Sequence, residues 1–208
     1  MGELFPRVIE TDCLRMEALT PETVDVFEFY EICSRDPGIE EVTRYVTWDP
    51  HATPKETLEH VEDAAERFAD DDGAIYLIRP SRDEQGAGEI AGDTAAIVDW
   101  DRRTMTLGIW LRKRFWGRGY SGERAAAMMQ LAFDRLDLEV VSVSHHVDNE
   151  PSRRAIERYV EAHGGRREGR LRNYLAFEDE GPVDLVRYTI HRDEWDEHAD
   201  GPVATFED

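Results

Sequence analysis

The chain has 208 residues, 40% of them hydrophobic, and carries 25 basic against 46 acidic side chains for a net charge of −21. That length and apolar content suit one α/β domain with a single core and no need of disulfides. No stretch approaches the roughly 20 apolar residues of a membrane span, the N-terminus lacks the basic and apolar regions of a signal peptide, and so acidic a surface argues against nucleic acid as a general partner.

Acid is spread along the whole chain, and Lys55 and Lys113 are its only lysines. Such a surface suits a cytoplasm of molar salt, where repulsion is screened to a few ångströms. A halophilic, cytoplasmic protein is therefore expected. The competing reading is attraction of a cationic substrate. Cys13 and Cys33 sit in no metal-type spacing and read as reduced packing residues.

In chain order, residues 14–18 read as a first strand after a polar lead-in. Thr20-Pro21-Glu22 reads as a helix start, with Val24, Phe27, Tyr30 and Ile32 as its apolar face up to Ser34. Residues 39–52 show no clear period but carry Tyr45 and Trp48. Thr53-Pro54 opens a second helix, lined by Leu58, Val61, Ala65 and Phe68 until the run of acid at residues 70–72. Strands follow at 74–79, 89–99 and 104–111. A helix over 121–136 turns Ala125, Met128, Met129, Ala132 and Phe133 inward. Then come a strand over 139–146, a helix over 151–162 stopped by Gly164-Gly165, and strands near 171–177 and 185–191. Residues 1–192 form one domain in this reading, and 193–208 a loose acidic tail with Glu194, Asp196 and His198 solvated. The class is α/β, with a mainly antiparallel front half and one strand–helix–strand crossover.

The segment 107–122 carries the chemistry. A strand runs into Arg112-Lys113-Arg114, then Phe115-Trp116, then Gly117-Arg118-Gly119, then a helix. Glycines let the backbone turn with its amides inward, and the helix start presents unpaired N–H groups and a positive dipole end to the same point. A pyrophosphate is the expected ligand. The segment is not a Walker loop, since no Gly-Lys-Ser/Thr follows. Gly117-Arg118-Gly119-Tyr120-Ser121-Gly122 satisfies a dinucleotide fingerprint literally. Its strand, however, follows a hairpin instead of opening a βαβ unit.

Arg114-x-x-Gly117-x-Gly119, with Gly108-Ile109-Trp110-Leu111, Asp148-Asn149-Glu150-Pro151-Ser152 and Arg44-Tyr45-Val46-Thr47-Trp48, resembles the GNAT N-acetyltransferases. Within them it is similar to the branch that acetylates the N-termini of ribosomal proteins. The resemblance spans about residues 13–188. It implies a mixed, mainly antiparallel sheet flanked by helices, with two splayed strands holding acetyl-CoA as cosubstrate. It implies backbone contacts to the pantetheine from Ile109 and Leu111. Arg114 and the amides of Gly117, Arg118, Gly119, Tyr120 and Ser121 would take the pyrophosphate, and Asn149 would reach the pantetheine arm. Ser152 matches the proton donor to the departing thiolate. The acceptor is a primary amine, of a small molecule or a peptide N-terminus, attacking directly in a ternary complex. The protein would be a monomer or homodimer.

Two departures stand out. Ile156 occupies a position where many members carry a tyrosine, with Tyr159 one turn later, and residues 159–165 differ from the usual helix end. A non-catalytic acyl-CoA-binding or regulatory protein is the alternative that the missing tyrosine leaves open. Local readings also stand beside the functional ones. Ser152 and Asn149 fit a helix first turn and cap, Phe115 and Trp116 fit packing beneath the loop, and Tyr45 and Trp48 fit a substrate pocket. His145 and His146 should face opposite sides of a strand, one inside and one outside, and no metal is expected. No general base stands out; Glu31, Asp99 and Glu178 are candidates. An amine of pKa near ~8 needs only a relay to water.

Overall fold

The computed structural model describes residues 4–177, 181–198 and 201–208. The elements are β1 (Val8–Glu10), β2 (Leu14–Ala18), α1 (Val26–Arg35), α2 (Ile39–Thr43), α3 (Pro54–Ala69), β3 (Gly73–Pro80), β4 (Gly92–Asp99), β5 (Thr104–Leu111), α4 (Tyr120–Gln130), β6 (Val140–His146), α5 (Glu150–Ala162), β7 (Arg166–Phe177), β8 (Gly181–His191), α6 (Arg192–His198) and β9 (Thr205–Glu207). A 3-10 turn covers Lys113–Phe115, and α4 continues into a π-helical turn over Leu131–Arg135.

One nine-stranded sheet runs β7-β8-β6-β5-β4-β3-β2-β1-β9. Every pairing is antiparallel except β5 with β6. That one parallel pair is what the α4 crossover produces. The expected α/β class, mainly antiparallel and flanked by helices, is the observed one.

Helices cover both faces. Behind the sheet, α4 and α5 bury Ala125, Met128, Met129, Phe133, Ile156 and Val160 against β5, β6 and β8. In front, α1, α2 and α3 close a second core around Phe29, Ile32, Val61, Leu77 and Trp110. At α5, the Asn149 carboxamide oxygen accepts from the Ser152 N–H at 3.1 Å. Among the described residues, no helix is long and apolar enough to cross a membrane.

The sequence expectations fail in instructive places. α1 starts at Val26, not at Thr20, because Asp25 caps it with two 2.9 Å bonds from the Phe27 and Glu28 N–H groups. Thr20–Thr23 is instead a turn, held by the Thr23 hydroxyl on the Ala18 carbonyl at 2.7 Å. On α3 the buried face is Thr57, Val61 and Ala64, and Leu58 is exposed. Residues 89–91, expected in strand, are loop before β4.

Residues 193–198 and 201–208 are not a loose tail. In α6, Trp195 is buried against Phe133 and His163, and β9 adds a ninth strand beside β1. The Gln130 side chain accepts from the Val203 and Ala204 N–H groups at 2.7 and 2.9 Å and donates to the Ala204 carbonyl at 3.1 Å. Glu194 pairs with Arg166 and accepts from the His191 N–H, so it is not merely solvated.

The two sheet edges differ. β9 has three residues, whereas β7 has twelve, with register irregularities between Arg167 and Gly169 and between Leu171 and Leu175.

Candidate functional site

The parallel ladder of β5 and β6 is short. It joins Thr104–Leu107 to Val140–Val143 and then stops. Gly108–Leu111 and Ser144–His146 run on without pairing to each other, so the sheet opens into a cleft at this point. This is the expected splay. Ile109 lies on its edge, half-buried. The Leu111 carbonyl is already engaged, accepting from the Trp116 indole at 2.7 Å.

The glycine loop closes the open end. Gly117 and Gly119 have φ of 79° and 87°, a left-handed backbone that other residues rarely adopt, and a Cβ at either would meet nothing within 4 Å. Both face open space. Gly119 is the N-cap of α4 and offers no side-chain cap, so the first-turn amides are left for a ligand. Phe115 is buried beneath, against Tyr120, as the packing reading required. Trp116 is half-exposed above.

The basic side chains around the loop are mostly engaged. Arg112 pairs with Asp36, Lys113 with Glu41 and Arg114 with Glu89. Arg118 donates to the Gln85 and Arg114 carbonyls at 2.7 and 3.0 Å and lies over Phe115. Arg118 alone in this group has no carboxylate partner among the described residues. An anion bound here would therefore rely largely on backbone N–H groups.

α5 begins across the cleft from this loop. Ser152 is half-buried in its first turn, and Asn149 caps it. Ile156 is buried in the core one turn on. Tyr159 is buried against Arg124 of α4, and burial pushes its phenol up to about 12.

The front face of the sheet beside the cleft is a trough. Asp93 pairs with Trp110, Ala95 with Gly108 and Ile97 with Thr106 across β4 and β5, so these six share one face. Ala95, Gly108, Ile97 and Thr106 are not covered by a helix in the way that the Leu107 face is. Ser142, Ser144 and His146 continue that face on β6.

Two aromatic groups wall the trough. Tyr45 stacks on His146 at 4.9 Å. Trp48 meets Trp110 edge-on at 5.2 Å and His51 at 5.5 Å. Phe29 and His60 complete the second wall, with ring separations of 6.3 Å from Phe29 to Trp110 and 6.2 Å from Phe29 to His60. Tyr45 and Trp48 thus both lie on the front face beside the cleft.

His145 and His146 are both buried, contrary to the one-in, one-out expectation: Tyr45 stacks on His146, and Tyr188 lies beside His145. His145 Nδ1 lies 2.7 Å from the His146 carbonyl, which makes it the protonated nitrogen, and burial depresses the ring's basicity. The Asp148 N–H donates to His146 Nδ1 at 3.1 Å.

The suggested bases lie elsewhere. Glu31 is exposed and paired with Arg35 on α1. Asp99 pairs with Arg102 at the far end of β4, and hydrogen bonds from Arg102 hold its carboxyl below the usual range. Glu178 lies outside the described residues. Missed instead were Asp93, His51 and His60. A carboxylate among the inward positions of an otherwise apolar strand was the signal for Asp93. Among the described residues, no group of three or more His, Cys, Asp or Glu is placed to hold a metal.

The family model described as acetyltransferase (GNAT) domain matches residues 14–159. YdaF of Bacillus subtilis strain 168, provisionally named a ribosomal N-acetyltransferase, is 31% identical over 99 residues, which are 48% of this chain and 51% of YdaF. The chain thus spans about half the length of that curated relative. A GCN5-related N-acetyltransferase from Brucella melitensis has the same fold, with a TM-score of 0.76 at 22% identity over 94% of this chain and 83% of its own. RimL, a ribosomal L7/L12 α-N-protein acetyltransferase, gives 0.73 at 18% identity over 92% and 97%.

Proposed function

The chain belongs to the GNAT acetyltransferase family, and on that premise we propose that it moves the acetyl group of acetyl-CoA to a primary amine bound in the front trough, by direct attack in a ternary complex. The observation that carries this reading is the splay. β5 and β6 part after Leu107 and Val143, and the uncapped α4 N-terminus behind Gly117 and Gly119 stands at the mouth of the gap.

Each part has a physical task. The amides of Gly117 to Ser121 and the dipole of α4 hold the pyrophosphate. Arg118 supplies charge, and Arg114 can do so once it leaves Glu89. Ile109 offers backbone to the pantetheine, and Asn149, while capping α5 through its oxygen, keeps its amide nitrogen for the same arm. Ser152 stands in the α5 first turn, where a hydroxyl can give a proton to the departing sulfur. Tyr45 and Trp48 wall the acceptor's approach. Holding amine and thioester together contributes much of the rate.

A protein N-terminus is the acceptor that the resemblance to YdaF favours, and the open front of the trough suits a chain end entering from solvent. The acid-rich, lysine-poor composition supports work in a salt-rich cytoplasm. The test is a panel of short peptides and small amines with acetyl-CoA in molar potassium chloride, read as free thiol. Thiol release that depends on one acceptor class is expected. Thermal stabilisation by acetyl-CoA with no release across the panel would establish the non-catalytic alternative that Ile156 leaves open.

A further inference from the structure

Among the described residues Asp93 is a buried carboxylate whose side chain has no arginine or lysine partner. It lies on the front face of β4 beside Trp110 and Phe29, where an isolated charge costs several kcal/mol. Its partner is His60 of α3, whose Nε2 stands 3.5 Å from Asp93 Oδ2. With its proton on Nε2, the ring would turn that proton toward the acid, whose Oδ2 has no closer hydrogen-bond partner among the described residues, and leave Nδ1 its lone pair. The His60 side chain is 34% exposed, while that of Asp93 is 8% exposed. The histidine is therefore partly open to solvent beside a buried acid, and its ring lies 6.3 Å from that of His51, which in turn meets Trp48.

We propose that His60, oriented by Asp93, accepts the proton that the acceptor amine loses during acetyl transfer. This rests on the function proposed above. The ammonium form gives one proton to His60 Nδ1. The freed nitrogen pair bonds the thioester carbon, and the carbon–sulfur bond breaks with its electron pair leaving on sulfur. The nitrogen's second surplus proton goes to that sulfur, by way of Ser152 in the reading above. His60 then returns its proton to solvent through its exposed side, so atoms and charge balance with no further reactant.

The charges around His60 agree with this role. Burial depresses its basicity, but hydrogen bonding and charge from Asp93 on β4, with Asp63 on its own helix, outweigh that and raise it. His51, from the loop before α3, is depressed by burial and by His60, with Glu56 and Asp93 acting in the opposite sense. His51 Nδ1 is also engaged with the Thr57 hydroxyl at 2.8 Å. From α1, Cys33 lies near Asp93, with the Asp36–Arg112 pair beyond it, and burial keeps that thiol neutral. Two neighbouring histidines are thus driven apart, the usual sign of divided proton roles.

The test is the pH profile of kcat/KM with acetyl-CoA and two acceptors, the peptide amide Ser-Ala-Ala and spermidine. In the wild type, activity climbs as His60 loses its proton and then levels. His60→Gln should lower kcat at neutral pH by about 100-fold. Its climb should move to higher pH, following the amine itself, with KM for acetyl-CoA unchanged. Asp93→Asn should shift the climb to lower pH, because the raising carboxylate is gone. An imidazole NMR titration gives an acceptor-independent reading: His60 should titrate above His51, and Asp93→Asn should narrow the gap. A wild-type profile in His60→Gln, or a His60 titration indifferent to Asp93→Asn, overturns the assignment. Failure of acetyl-CoA to stabilise the wild-type protein strikes the cosubstrate reading instead. If neither acceptor is acetylated, the titration decides.

Discussion

The glycine loop and the front trough, proposed above as the cofactor and acceptor sites, are built in opposite ways. The loop is contiguous, residues 112–122, and works largely through backbone: two left-handed glycines, an uncapped helix start and a buried Phe115 beneath. The trough draws single side chains from the loop after α2, from α3, β4, β5 and β6. A backbone site binds a constant group in a constant way. A side-chain site can be rebuilt one residue at a time for a new acceptor while the loop stays fixed. Donor chemistry is therefore shared across such a fold, and acceptor choice is not.

Gly119→Asp should break this contrast most severely. A carboxylate at this position would stand in the space the phosphates need, and the acetyl-CoA-dependent rise in thermal midpoint should vanish while the fold remains. Gly119→Asn, which tolerates the same φ without charge, should retain part of the rise. Full wild-type stabilisation in Gly119→Asp would show that the phosphates bind elsewhere.

Salt acts on both regions at once. Lowering potassium chloride from molar to dilute lengthens the Debye length from about 3 Å to about 30 Å. With a charge of −21, self-repulsion should then lower the thermal midpoint steadily. A flat or rising midpoint on dilution would move the acid from environment to function and make a cationic acceptor the better explanation.

Ser152→Ala should cost about 10-fold in kcat with little change in the Michaelis constant for acetyl-CoA. Unchanged turnover would leave Ser152 as a first-turn residue. The smallest effect should come from Glu89→Gln. Arg114 and Glu89 are both about half exposed, and freeing the arginine should tighten acetyl-CoA binding by about twofold to fivefold. Weaker binding would mean that Glu89 positions Arg114 for the phosphates.

The same contrast explains what could be read from the residues alone. Spacing within one turn and helix singled out Gly117, Gly119, Asn149 and Ser152, because the features that mark them lie among neighbours in sequence. Strand register is non-local. Nothing near Asp93 announces that it meets His60, 33 positions earlier, or that Tyr45 stacks on His146. The helix start at Thr20-Pro21 misled for a related reason. The Thr23 hydroxyl was spent on the Ala18 carbonyl, and Asp25 took the capping position. The acidic C-terminal stretch looked solvated by composition, yet Trp195 and the Gln130 clasp anchor it.

The unequal ends of the sheet bear on crowding. A strand edge is an invitation to any other extended chain, and in molar salt, where repulsion is screened, charge alone would not keep neighbours away. At one end β9 offers three residues, too few to template a partner. At the other, β7 is long, but its register breaks twice and Arg166, Arg167, Arg170 and Arg172 punctuate it. Shape and irregular backbone do there what electrostatics does in dilute buffer, so the molecule should stay dispersed at salt concentrations that would salt out a flat, regular edge.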